Sequence, residues 1–318
     1  MNDFDFIGVD IAKDKFDVCL LSKSKTKTAI FENNKVGFKR FVTWAKMHAK
    51  TLWVCMEATG IYGEKLAEYL TDETIKVSVV NPMRIKHYGK ALLTRNKNDV
   101  VDAKIIALYA QAMKPDEFTP RDAKQKEVKE TVQLLDVLRM QRQQAKNQLE
   151  SASCKSVKAE LKKLIRSLDA RIAAIEKKLK SKTEQNSELA SMKKALMSIK
   201  GIGELTAHAL IAHLPDIKLF NNAKQLAAYA GLSPRQHQSG TFAGRTKLSK
   251  IGNAKLRRAL YMPALVAKNS NPYLKPFCQR LQSNGLKPKA IICAVMRKLL
   301  HIIFGMLKNK QEFNPALV

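Results

Sequence analysis

The chain has 318 residues, 45% of them hydrophobic, and its 57 Lys and Arg against 28 Asp and Glu give a formal net charge of +29. That length predicts two domains with real apolar cores, and the charge predicts a polyanionic partner bound with steep salt dependence, over the alternatives of an inert basic surface or an anionic membrane. Five cysteines, odd in number and without a C-x-x-C pair, exclude a disulfide framework and a zinc ribbon, and the acid-containing start MNDFDFIGVDIAKDK excludes a secretory signal, so a reducing cytoplasm is the expected compartment.

Three short runs open the chain, 4–9 (FDFIGV), 16–21 (FDVCLL) and 28–32 (TAIFE), separated by polar pieces, and they predict a three-stranded meander. Helical spacing follows over 37–49, then a buried-type strand over 52–58, a helix over 62–72 and a strand over 75–80 that ends at the Asn81-Pro82 break. A helix over 99–113 closes the region before Pro115. Three strands followed by alternating helices and strands is the order of an RNase H-like sheet, although many α/β folds share it.

Residues 122–182 contain neither Gly nor Pro, and Leu134, Leu135 and Leu138, then Leu161, Leu164, Ile165, Leu168, Ile172, Ile175 and Leu179, recur at helical spacing. This predicts two long helices meeting as an antiparallel coiled coil, with the turn at 151–156, serving either as a dimerisation arm and spacer or as an intramolecular hairpin. From 187 onward the chain reads as helical and basic. In SIKGIGELTAHALIAHL (198–214), beside Lys200, Gly201 and Gly203 permit a tight hairpin of the helix-hairpin-helix kind, which either sets backbone N–H groups against a phosphate or packs two helices. The apolar stretch 291–307 carries Arg297, Lys298 and His301, which predicts an amphipathic helix rather than a bilayer span and no membrane partner.

Four acids stand out against this basic background. Asp10 ends the first strand, Glu57 ends a strand able to lie beside it, and Asp99 and Asp102 are i and i+3 on one helix face. Converging carboxylates can hold two metal ions about 3.5–4 Å apart for phosphodiester chemistry. Taken singly they have ordinary explanations: a cap at Asp10, a surface residue at Glu57, a helix cap and dipole partner at Asp99 and Asp102. Farther on, GRTKLSKIGNAKLRRALY concentrates Arg245, Lys247, Lys250, Lys255, Arg257 and Arg258 without an acid, as either a clamp on nucleic-acid backbone or a solvated helix face. His208, His213 and His237 lack a metal-ligand spacing, Tyr109 and Tyr229 read as packing aromatics, and Ser233 and Ser249 read as turn and cap residues.

The segments GVDIAKDKFDV, MEATGIYGEKLAEYL, NPMRIKHYGKALLTRNKNDVVDAKIIALYA, SIKGIGELTAHALIAHL and LAAYAGLSPRQHQSG resemble the DEDD transposases of the bridge-RNA-guided insertion-sequence family, relatives of the Piv and MooV invertases, over nearly the full length. The resemblance implies an α/β plus all-α chain: a RuvC-like (RNase H-like) nuclease domain over 1–120, a coiled-coil linker over 121–186 and a helical transposase domain over 187–318. It implies Mg2+ held by Asp10, Glu57, Asp99 and Asp102, and Ser239 of QHQSGTFAGR as the nucleophile that forms a covalent link to DNA. A structured non-coding RNA pairing with target and donor DNA, a dimer or tetramer, and a bacterial, nucleoid-associated location also follow from it. From the residues alone, Ser239 is an ordinary Ser-Gly turn position. Competing readings are a RuvC-type junction resolvase or protein-guided invertase without guide RNA, and a non-catalytic nucleic-acid-binding protein, against which the intact acidic set and the Ser-Gly motif argue.

Overall fold

A computed structural model of the chain describes residues 4–22, 26–58, 60–93, 98–120, 122–236, 238–239, 242–243 and 246–314, with the side chains of residues 61, 238, 239, 242 and 243 outside that description. Two compact units result, Met1–Arg121 and Asp122–Val318.

In the first unit, β1 (Asp5–Ile11), β2 (Lys15–Leu21), β3 (Thr26–Glu32), β4 (Leu52–Glu57) and β5 (Lys76–Val80) form one sheet in the order β3-β2-β1-β4-β5. The first three strands pair antiparallel through short turns, whereas β4 lies parallel to β1 and β5 parallel to β4. Parallel pairing needs a crossover, supplied by α1 (Lys35–His48) before β4 and α2 (Ile61–Asp72) before β5. Alternation along the strands then sorts the residues. Ile7, Val9, Phe16, Val18, Val54 and Met56 pack on one face against Phe38 and Phe41 of α1 and Leu66 and Leu70 of α2.

The other face carries Phe6, Trp53, Cys55 and Val80 and is covered by Ile85 of α3 (Pro82–Ala91) and by Ile105, Ile106 and Tyr109 of α4 (Asp99–Met113). The strand ends at Val80, before the Asn81-Pro82 break as the sequence reading expects, and helix α3, which that reading does not include, begins there. The same dipeptide is a helix start: the Asn81 side chain accepts from the Met83 amide at 2.8 Å, and Pro82 occupies the first turn, where no amide donor is needed. Helix α4 ends on Lys114 in a left-handed conformation (φ 41°), just before Pro115. Its exit is pinned to the sheet, because the Trp53 indole donates to Ser78 Oγ at 2.9 Å and that hydroxyl donates to the Pro115 carbonyl at 3.1 Å.

The second unit begins with α5 (Ala123–Ser151) and α6 (Lys155–Glu184), which lie antiparallel. Ion pairs join Arg139 to Glu176 at 2.7 Å, Arg142 to Asp169 at 2.9 Å, and Lys182 to Glu127, while Leu135, Leu138, Leu168, Ile172 and Leu179 are buried. Then come α7 (Ser187–Met197), α8 (Glu204–His213), a 3-10 turn (Ile217–Leu219), α9 (Ala223–Tyr229), α10 (Ala254–Ser270), α11 (Lys275–Ser283) and α12 (Pro288–Asn309).

Between α9 and α10 the chain departs from the helical expectation. Here β6 (Pro234–Arg235) pairs antiparallel with β9 (Lys247–Leu248), and β7 (Gln238–Ser239) with β8 (Phe242–Ala243). Gly and Pro recur too often along 231–252 for a helix to propagate. By length and composition α12 is apolar enough to cross a bilayer, but Ile291, Val295, Leu299, Leu300 and Ile303 are buried in the core of this unit.

Candidate active site

Asp10 and Glu57 sit at the carboxyl ends of adjacent parallel strands. The β1–β4 register runs to Val9 opposite Met56, so the two acids occupy the next step on the two strands. Both share the face of Gly8 and Cys55, which is the α4 side of the sheet. Helix α4 approaches very closely there: a Cβ on Gly8 would meet the Ala103 carbonyl oxygen and the Ala107 amide. Asn98 caps the helix by accepting from the Val101 amide at 2.8 Å, which leaves Asp99 and Asp102 in the first turn, where the helix dipole favours negative charge. The cap is therefore Asn98, not Asp99.

These placements crowd the carboxylates. Burial, then the charges of Asp102, Asp99 and Asp17, push the Asp10 carboxyl above its ordinary pKa, opposed only by a hydrogen bond from the Ile11 amide. The buried Cys55 thiol is pushed up to about 12, chiefly by burial and then by the Glu57 charge, which puts Glu57 on the same side of the sheet.

Two residues of this site escaped the sequence analysis. Asp17 is 4% exposed and stands opposite Asp10 in the β1–β2 ladder, and Lys15 reaches both Asp17 (3.2 Å) and Asp99 (3.0 Å). A signal was present: with Phe16, Val18 and Leu20 facing the core, alternation alone assigns Asp17 to the face of Asp10. Among the described residues, no three His, Cys, Asp or Glu side chains stand ready around a metal position. Hard carboxylate oxygens gathered at one strand end nevertheless fit a divalent cation such as Mg2+, which takes one or two carboxylates and keeps several waters.

In the second unit, Lys200 and Gly203 are exposed on the turn between α7 and α8, and Gly201 takes φ +109° with its Cα side close to α10, where a Cβ would stand 3.2 Å from the Pro263 carbonyl. Glu204 in the first turn of α8 accepts from Lys193 at 2.9 Å, a hydrogen bond that holds its carboxyl below the ordinary range. Lys247, Lys250 and Arg258 are exposed. Arg257 is engaged differently: its guanidinium donates to the carbonyls of Ala230 (2.8 Å) and Gly252 (3.3 Å), bracing the turn that leads into α10. Ser239 lies in the β7–β8 ladder opposite Phe242, but its side chain, like Arg245 and His237, falls outside the described residues.

A family model described as transposase of the IS116/IS110/IS902 family matches residues 193–279, and a DEDD transposase model of the IS110 group matches residues 7–152. The chain is 34% identical over 323 residues to the pilin gene-inverting protein of Moraxella bovis, covering 98% of each chain. It is 27% identical over 359 residues to the transposase for insertion sequence element IS1111A of Coxiella burnetii, covering 98% of this chain and 92% of that one.

Proposed function

We propose metal-dependent, serine-mediated DNA strand exchange for this chain, which belongs to the IS116/IS110/IS902 family of transposases and is a DNA recombinase by that membership. The observation that carries the proposal is the crowding of Asp10 by Asp99 and Asp102 at the strand end, an arrangement that repels itself unless a cation is close. Membership of the DEDD transposases implies divalent-metal use; we assign Mg2+ to Asp10, Glu57, Asp99 and Asp102. When bound, such ions stabilise charge on the phosphoryl oxygens undergoing transfer. The strand order β3-β2-β1-β4-β5 supports an RNase H-like, RuvC-like identity for residues 1–120.

Ser239 is the proposed nucleophile. Its Oγ forms a bond to the DNA phosphorus as the bond from phosphorus to the leaving nucleotide oxygen breaks, and the hydroxyl proton ends on that oxygen. One P–O bond replaces another, so strands can be rejoined without ATP, whereas hydrolysis would forfeit this. The family resemblance and the Ser-Gly motif support the assignment. The exposed Lys200, Lys247, Lys250 and Arg258, with Arg245, are the proposed backbone contacts, together with the Gly201–Gly203 turn read as a helix-hairpin-helix.

The α5–α6 pair is proposed as a coiled-coil spacer over 121–186 between the nuclease domain and a transposase domain over 187–318. Leu134, Val137 and Met140, exposed on α5, suit it to self-association as a dimer or tetramer. The high positive charge and the family resemblance favour a non-coding guide RNA besides DNA, in the bacterial cytoplasm at the nucleoid. A second reading, inversion of a chromosomal segment, is favoured by the Moraxella relative, whose name says that it inverts a pilin gene. The same residues would serve both. Asp102→Asn tests the shared chemistry: strand cleavage should vanish while DNA binding persists, and wild-type cleavage rates would remove the carboxylates from the reaction.

A further inference from the structure

The four carboxylates do not account for all the charge at this strand end. Lys15 opens β2, and its ammonium lies 3.0 Å from Asp99 Oδ2 and 3.2 Å from Asp17 Oδ2. The two partners differ in kind. Asp17 is 4% exposed and fixed in the ladder opposite Asp10, so it anchors the ammonium to the sheet. The Asp99 side chain is 59% exposed on the first turn of α4, so it is the partner that can be exchanged. One cation thus ties a buried acid of β2 to the exposed acid of the helix.

We propose that Lys15 is an internal counter-ion of the carboxylate site, holding Asp99 while no divalent cation is bound and yielding it when one enters. The inference rests on the reading above in which Asp99 is a metal ligand. An ammonium and a divalent ion drawn to one carboxylate compete for its charge and repel each other at short range. Without either, Asp17 and Asp99 would lose the cation they share while standing close to Asp10 and Asp102, and the added repulsion would loosen the start of α4 from the sheet. Lysine suits a temporary partner: it is a compact charge on a flexible stem, whereas arginine holds a carboxylate through a rigid two-pronged fork. Because the Lys15 side chain is 47% exposed, the competition is mild and tunes cation affinity without blocking entry.

The test is titration of the full-length protein with Mn2+, followed by calorimetry at low ionic strength, for wild type, Lys15→Met and Lys15→Arg, together with melting in EDTA. Lys15→Met should bind Mn2+ about two- to fivefold more tightly, the range that an exposed ion pair supports, and should melt lower in EDTA with the gap closing at saturating Mn2+. Lys15→Arg should recover the EDTA melting temperature and bind Mn2+ no more tightly than wild type. Should Lys15→Met fail to fold, Lys15→Gln makes the same comparison. Equal or weaker Mn2+ binding by the neutral variant, while wild type binds, overturns the role of Lys15 and leaves the metal reading standing. Wild type that binds Mn2+ no better than Asp10→Asn overturns the metal reading and this inference with it.

Discussion

Gly8 and Ala103 meet backbone to backbone: a Cβ on Gly8 would stand 2.0 Å from the Ala103 carbonyl oxygen and 2.3 Å from the Ala107 amide nitrogen. That contact seats α4 on β1 and brings Asp99 and Asp102 beside Asp10, two residues farther along the strand. A methyl group at position 8 must lift the helix, an overpacking that costs about 1–3 kcal/mol. Gly8→Ala should therefore lower the melting temperature, speed amide exchange along 99–113, and reduce cleavage by more than the unfolded fraction explains. Unchanged exchange in α4 would contradict the seating.

The Asp10 carboxyl is raised above its ordinary value of 3.8 by burial first and then by its acidic neighbours, so the folded protein holds that proton more tightly than the unfolded chain does. The stability this contributes is complete below 3.8 and is lost as pH rises through the raised value. In EDTA, wild type should thus lose stability with rising pH in that window relative to Asp10→Asn, and the variant should melt higher at neutral pH. Melting curves across a pH series check this. A neutral-pH variant less stable than wild type would show that the site is not strained by its charge.

Arg257 and Arg258 are neighbours with different duties. Arg257 braces the turn between α9 and α10 through two carbonyls, and Gly231 leaves room for it, since a Cβ there would lie 2.6 Å from the guanidinium. Arg257→Ala should destabilise the protein by about 1–3 kcal/mol, because charged hydrogen bonds are lost. Arg258→Ala should change stability by under about 0.5 kcal/mol and lower the log-log salt slope of DNA binding by about one. Denaturant titration and binding at several salt concentrations separate the two, and an exchange of these effects would reverse the assignments.

Much of the first unit was legible because its signals are periodic. Phe16, Val18 and Leu20 alternate as β2 requires, and the helix over 99–113 was read with the bounds that the structure gives it. Helix α3 was missed because Asn-Pro punctuates a chain without saying whether a helix begins after it. The β6–β9 and β7–β8 ladders were missed because two-residue strands carry no period. The elements bearing the four acids could be read from the sequence, but the role of Gly8 could not: its lack of a side chain matters only once α4 is known to lie on it. Lys15 and Asp17 went unnoticed because charge near a turn reads as solvated surface.

The most direct test of the central claim looks for a covalent protein–DNA adduct. Wild type, Asp10→Asn and Ser239→Ala are incubated with cognate DNA, the candidate non-coding RNA and Mg2+, then denatured and resolved by size. The predicted result is an adduct that survives denaturation in wild type and is absent from both variants. An adduct persisting in Ser239→Ala, or free DNA ends without any adduct from wild type, would contradict serine-mediated exchange and leave water as the nucleophile.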